Sequence, residues 1–191
     1  MKMNRVKWLV ETAMMLALLL CLQWVTGYIP KPVQQFITGS LVNCVLAVTV
    51  LLCGRASGIT VALISPVFAA VLGIAPNYVV VPAIMAGNVV YVLLLKTIIG
   101  KDAKSAVKNA LALAGSAAAK FAVLYVLVVQ VICNLAADAL LGQKLFGKVL
   151  LAKPMLTALP AMFTWPQLIT ALIGGAVALM ILPVLRKALK R

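Results

Sequence analysis

Thr26-Gly27-Tyr28-Ile29-Pro30-Lys31-Pro32-Val33-Gln34-Gln35-Phe36-Ile37-Thr38-Gly39-Ser40 divides the beginning of the chain into two strongly apolar runs. Gly and Pro at this density do not continue a helix, so the chain must turn and the runs are separate elements. The remaining side chains here hydrogen-bond or stack: Tyr28, Lys31, Gln34 and Gln35. A polar loop in a hydrocarbon-rich chain has two readings. It is a plain reversal between two membrane helices, or a lid over a binding site; the loop alone leaves both open.

Outward from that loop the composition sets the solvent. The chain has 191 residues, 65% of them hydrophobic and 10% charged, with a mean hydropathy of +1.16. A soluble domain carries roughly 25% charged residues, so the apolar excess is too large for one buried core and reads as an integral membrane protein. The whole chain, 1–191, is expected to form a single transmembrane domain.

Scanning for runs of about 20 apolar residues gives six helical spans, at 10–25, 40–53, 58–74, 79–95, 110–141 and 165–185. Helices are the expected element because lipid cannot satisfy an open backbone. Ser65-Pro66 should kink the third span. The fifth is longer than a straight crossing needs, so it is tilted or extends beyond the bilayer. The segment 142–164, with Pro154, Pro160, Phe163 and a boundary at Trp165, is too apolar for a linker and reads as a re-entrant or interfacial piece.

The net charge of +14 comes from 17 Lys+Arg against 3 Asp+Glu. In a soluble protein this balance would suggest nucleic acid. Here the basic residues lie between and beyond the spans, as membrane topology requires, and nucleic-acid binding is not expected. With the N-terminus inside, the inner segments take Lys2, Arg5, Lys7, Arg55, Lys96, Lys101, Lys104, Lys108, Lys120 and the four C-terminal charges. The outer ones hold Lys31, Lys144, Lys148 and Lys153. Both termini are therefore expected in the cytoplasm, and the loop 27–39, the Ala75-Pro76-Asn77-Tyr78 turn and the 142–164 segment outside. The basic N-terminal residues ahead of an apolar run resemble a signal peptide, but no small-x-small cleavage site precedes Gly27-Tyr28, and the run is read as a retained first helix.

Chemistry-bearing motifs are few. There is no G-x-x-x-x-G-K-[S/T] loop and so no expected ATP hydrolysis by this chain. Glu11, Asp102 and Asp138 lie far apart, and there is no His, so no acid/base pair or metal cluster is expected. Cys21, Cys44, Cys53 and Cys133 lie in or at the ends of apolar runs without C-x-x-C spacing, as small buried hydrophobes do. The expectation is a non-enzyme without catalytic residues, metal or cofactor.

Ala13-Met14-Met15-Leu16-Ala17 places two small side chains one turn apart on the first helix, where a partner helix can approach closely, in the same chain or another. Six helices in this length, both ends inside, Ala-x-x-x-Ala near the inner end of the first helix and a polar outer loop after it together resemble the substrate-binding S component of energy-coupling factor (ECF) transporters. The resemblance spans essentially the whole chain. It implies an all-α membrane bundle that captures a vitamin-like or other small organic micronutrient. It also implies a membrane scaffold (T) subunit and two ATP-hydrolysing subunits as partners, a pocket near the outer face closed by the first loop, and Ala13 and Ala17 as the scaffold contact.

Candidate ligand contacts follow from amides and aromatics inside or beside the spans. Tyr28, Gln34 and Gln35 belong to the loop, which is expected to order over ligand; Lys31 there could attract an anionic group. Asn77 and Tyr78 lie in the second outer turn. Asn43, Asn88 and Tyr91 are mid-span, where a polar group must find a partner, in another helix or in a ligand. Gln130, Asn134 and Asp138 recur every four residues. On an α-helix that is one face, expected to look into the bundle, with Gln130 and Asn134 on the ligand and Asn88 and Tyr91 opposite. Asp138 is expected near the surface, within reach of Lys144. Lys120 is expected to snorkel to the inner surface without a functional role, and Gly174-Gly175 to permit close helix packing. A stand-alone channel or secondary carrier is the other reading of such a chain. It would need discontinuous helices or repeats around a midplane site, and beyond Pro66 the sequence has neither.

Overall fold

The computed structural model describes residues 5–30, 33–100, 105–145 and 147–189; Lys31 and Asp102 lie outside them. The chain forms α1 (Arg5–Thr26), α2 (Val33–Leu52), α3 (Arg55–Val71), a 3-10 turn (Tyr78–Val80) running into α4 (Val81–Ile99), and α5 (Ala106–Leu124). A π-helical segment (Tyr125–Leu135) continues α5 into the short α6 (Ala137–Leu140). After a hairpin of β1 (Lys144–Leu145) and β2 (Lys148–Val149) come α7 (Met155–Phe163) and α8 (Trp165–Ala188). The fold is an all-α membrane bundle. Five stretches are long and apolar enough to cross a membrane, and α3 is a shorter apolar helix.

The first correction concerns the opening loop. α2 begins at Val33, seven positions before the expected start at 40, so Gln34 and Gln35 stand in its first turn and not on a loop. The physical reason is that proline is well tolerated where a helix starts: the carbonyl of Pro30 already accepts from the N–H of Gln34 at 3.1 Å. Gly39 does not break the helix because α8 lies against it; a Cβ there would meet Thr170 at 3.0 Å. The second correction concerns the long fifth span, which changes its winding from α to π at Tyr125 and breaks at Ala136. The 142–164 segment is an antiparallel hairpin pairing Lys144 with Val149 and Leu145 with Lys148, followed by α7.

α2 is the central helix. Every residue from Asn43 to Leu51 is buried, as expected of a helix that is apolar on all faces. Around it one apolar cluster joins Leu19 of α1, Val61 of α3, Val92 and Leu95 of α4, Leu113 and Ala117 of α5 and Leu182 of α8. A second cluster holds Ala83, Leu124, Val128, Leu151, Leu159 and Phe163. It packs the π segment, Leu151 after the hairpin and α7 against α4 and the end of α5. Polar bonds tie α1 in place: the Thr12 and Ser57 hydroxyls bond at 2.8 Å, and Thr38 donates to Thr26 at 2.8 Å.

Two glycines carry specific geometry. Gly54, between α2 and α3, has φ +101°, a conformation that a Cβ disfavours. Gly174 of α8 lies directly on the α2 backbone, where a Cβ would overlap the Ser40 carbonyl and come within 2.8 Å of the Asn43 Cβ. Small residues allow this approach in lipid, where close packing holds helices together. Gly174→Ala should therefore lower stability by about 1–3 kcal/mol. Gly115, in the interior of α5 with only Ile98 near at 4.0 Å, serves as the control, and Gly115→Ala should gain up to about 1 kcal/mol of helix propensity. Melting temperatures in detergent test both; equal stability of the two variants would contradict the packing account.

Candidate functional site

A cavity of about 300 Å³ runs from the bundle end where α1 stops and α2 starts inward to Lys120 of α5. Its wall draws on seven helices: Gln23 from α1, Gln34, Gln35, Thr38 and Asn43 from α2, Ser65 and Pro66 from α3, Asn88 from α4, Lys120 from α5, Phe163 from α7 and Gln167 from α8. Ala75 and Pro76, between α3 and α4, close one side.

The deepest feature is Lys120, which is 3% exposed. Its Nζ donates to Asn43 Oδ1 at 2.6 Å and to Asn88 Oδ1 at 2.7 Å, and it lies 5.6 Å from the centroid of the Tyr91 ring. One cation is thus held by α2 and α4 at once. Asn43 is fixed from its other end, since its Nδ2 donates to the Gly39 carbonyl at 2.8 Å. Glu11 pairs with Lys7 at 3.9 Å and Asp138 is exposed, so no carboxylate among the described residues balances Lys120.

Nearer the mouth, two glutamines share one acceptor. Gln35 Nε2 donates to the Met162 carbonyl at 2.7 Å and Gln167 Nε2 to the same oxygen at 3.3 Å, tying α7 to α2 and α8. Three buried polar atoms on the cavity residues have no partner: Gln23 Oε1, Ser65 Oγ and Asn88 Nδ2. Orphans are rare in protein interiors and costly, and three on one cavity wall mark it as a place made to be filled.

Of the residues expected from sequence to meet a ligand, Gln34, Gln35, Asn43 and Asn88 stand on this wall. The others do not. Tyr28 is exposed and packs edge-on against Trp24 at 5.4 Å; the chain turns at Gly27, whose N–H bonds back to Gln23 and Trp24, and this carries Tyr28 away. Asn77 caps the 3-10 turn through Val79 N at 3.2 Å and donates to the Val149 carbonyl of the hairpin at 3.2 Å. Tyr78 holds Lys148 over its ring at 4.9 Å. Both line a separate depression that shares Ala75 and Pro76 with the main cavity. Tyr91 is fully buried, its hydroxyl donating to the Ala171 carbonyl at 3.3 Å, and it forms the floor beneath Lys120.

Gln130 and Asn134 are the clearest correction. The repeat does put the two on one side of the segment, which is π-helical over Tyr125–Leu135, but that side is not part of the cavity wall. Gln130 donates to the Tyr125 hydroxyl at 3.1 Å and accepts from Asn134 at 3.1 Å. The three satisfy one another on the outer side of the segment, away from the cavity. Asp138 pairs with no lysine among the described residues.

Lys120 is the residue that sequence reasoning misses, and depth is the available signal. It lies ten residues into the run starting at 110, roughly 15 Å along a helix, too far for a lysine stem to reach the inner surface. Gln23, alone among apolar neighbours near the end of its span, carries a similar signal. Ala13 and Ala17 lie on α1 beside the exposed Val10, Met14 and Leu18, an apolar face that no described element of the bundle covers.

In comparisons with known proteins, the family described as ECF transporter, substrate-specific component matches residues 7–186. No curated protein and no solved structure gives a match.

The ammonium clamp predicts a particular pattern of stabilities. Asn43→Leu leaves a buried cation short of an acceptor and should lower stability by about 3 kcal/mol. Adding Lys120→Met to that variant should recover most of the loss, because the penalty belongs to the unpaired charge. Thermal melts of both single variants and the double variant read the coupling; simple additivity would mean that the two side chains do not act together.

Proposed function

Because the chain belongs to the family of ECF transporter substrate-specific components, we propose that it is the membrane-embedded subunit that captures a vitamin-like small organic micronutrient for an ATP-driven importer. Members of this family are transport subunits and not enzymes. The observation that supports this reading is the cavity itself. It is reached from one end of the bundle, ends at a fixed cation, and carries unpartnered hydrogen-bonding atoms from α1, α3 and α4. A site of a few placed polar groups in an otherwise apolar cavity suits a small organic molecule.

The chain has no nucleotide-binding loop of its own, so the energy comes from partners: a membrane scaffold (T) subunit and two ATPase subunits. The apolar face of α1 around Ala13 and Ala17 is the scaffold contact, where small residues let a second helix come close. The protein lies in the plasma membrane with both termini in the cytoplasm. Arg55, Lys96, Arg186 and Lys187 belong to the bundle end opposite the cavity mouth, and basic residues favour the cytoplasmic side. The mouth, bordered by Gln34, Gln35, Ala75 and Pro76, then faces outward, with the first turn of α2 at its edge.

The test is reconstitution. Co-expressed with a scaffold and its ATPases, the chain should purify as a complex that imports a labelled micronutrient only with ATP; transport by the chain alone in liposomes would overturn the proposal. Ala13→Trp should reduce recovery of the scaffold severalfold and leave ligand binding by the isolated chain unchanged. In intact cells, a cysteine replacing Ala75 should be labelled by an impermeant reagent and one replacing Ser105 should not; the opposite pattern would reverse the orientation.

A further inference from the structure

We infer that the molecule this cavity selects is a small monocarboxylate, its carboxylate docked on Lys120 and Asn88. The inference rests on the capture function proposed above and narrows its substrate class.

The argument begins with what an ammonium can do. Lys donates three hydrogen bonds and accepts none. Two of the Lys120 donors are used, on Asn43 Oδ1 and Asn88 Oδ1. Because only oxygen can face the ammonium, the orientation of both amides is decided. Asn43 spends its Nδ2 on Gly39 and Thr170. Asn88 has no such outlet: its Nδ2 is buried and unpartnered. One N–H of Lys120 and the amide N–H of Asn88 therefore remain, adjacent to each other, on residues of the cavity wall. Two neighbouring donors, one of them cationic, match the two oxygens of a carboxylate.

Charge balance selects the same ligand. The groups around Lys120 are neutral: two asparagines, the Tyr91 ring and, along the rest of the wall, glutamines, Thr38, Ser65 and apolar side chains. A buried cation with only neutral partners keeps much of its desolvation penalty. A monoanion removes it. A neutral ligand leaves it, a cation adds to it, and a dianion such as a phosphate monoester brings a second charge with no partner. The same wall also carries the unpartnered Gln23 Oε1 and Ser65 Oγ, so another part of the ligand carries a neutral hydrogen-bonding group.

Retention from a mixture lets the protein itself choose the molecule. The purified full-length protein in detergent is incubated with deproteinised yeast extract and washed; what heat releases is then identified by mass spectrometry. Asn88→Asp and Lys120→Met are run beside it. Asn88→Asp keeps the size and the acceptor and places a carboxylate of the protein's own against Lys120. Its ligand-free melting temperature should equal or exceed that of the parent, which separates a lost site from a lost fold. The expected result is a water-soluble monocarboxylate on the parent protein, retained about tenfold less or weaker still by each variant, the loss of a charged hydrogen bond. A retained neutral molecule, cation, phosphate ester or lipid would overturn the inference and leave the capture function standing, as would a carboxylate held equally well by a folded Asn88→Asp. If the parent retains nothing, the capture function itself fails.

Discussion

A single ammonium inside the bundle organises this molecule. Placing a lysine at mid-membrane depth costs several kcal/mol unless it is paired, and Lys120 meets that demand with two asparagine oxygens from different helices, Asn43 of α2 and Asn88 of α4. The clamp joins α5 to both. It also lies where the two apolar clusters meet, since Ala117, before it on α5, belongs to one and Leu124, after it, to the other. The polar site is not an intrusion into a finished core. It is the junction across which the two halves of the core are registered.

The wall above that junction follows from the same constraint. Amides bonded to a common acceptor, as Gln35 and Gln167 are through the Met162 carbonyl, hold the roof helix. Amides left over, such as those of Gln23 and Asn88, define where something else must bond. The family supplies the transport role, and the geometry of these leftover atoms supplies the chemical preference within it.

The helical spans are legible because hydrocarbon runs of membrane length have few alternatives, and the amides Asn43 and Asn88 stand out because their neighbours are apolar. What is illegible has physical causes. The start of α2 reads seven residues late because Pro and Gly both mark breaks, yet Pro also opens helices and Gly39 is there for Thr170. The Gln130–Asn134 stripe does share one side of its segment, but a period does not say which way that side looks, and there Gln130 bonds Tyr125 instead of lining the cavity. Lys120 is easily dismissed because a lysine on an isolated helix does snorkel. Only the tertiary fold brings two acceptors to it from residues 77 and 32 positions away in the chain.

The contact of Gly174 with the α2 backbone has a further consequence, for how the pocket can change. Main chain against main chain leaves no side chain to trim or enlarge, so the seam between α2 and α8 behind Asn43 has little freedom to drift. Gln23 and Ser65 reach the cavity from α1 and α3 on ordinary side chains. Substitutions that diversify the ligand while conserving the scaffold will accumulate on that side. The bundle is thus divided into a fixed jaw and an adjustable one, and a designer seeking a different cargo would begin with the second.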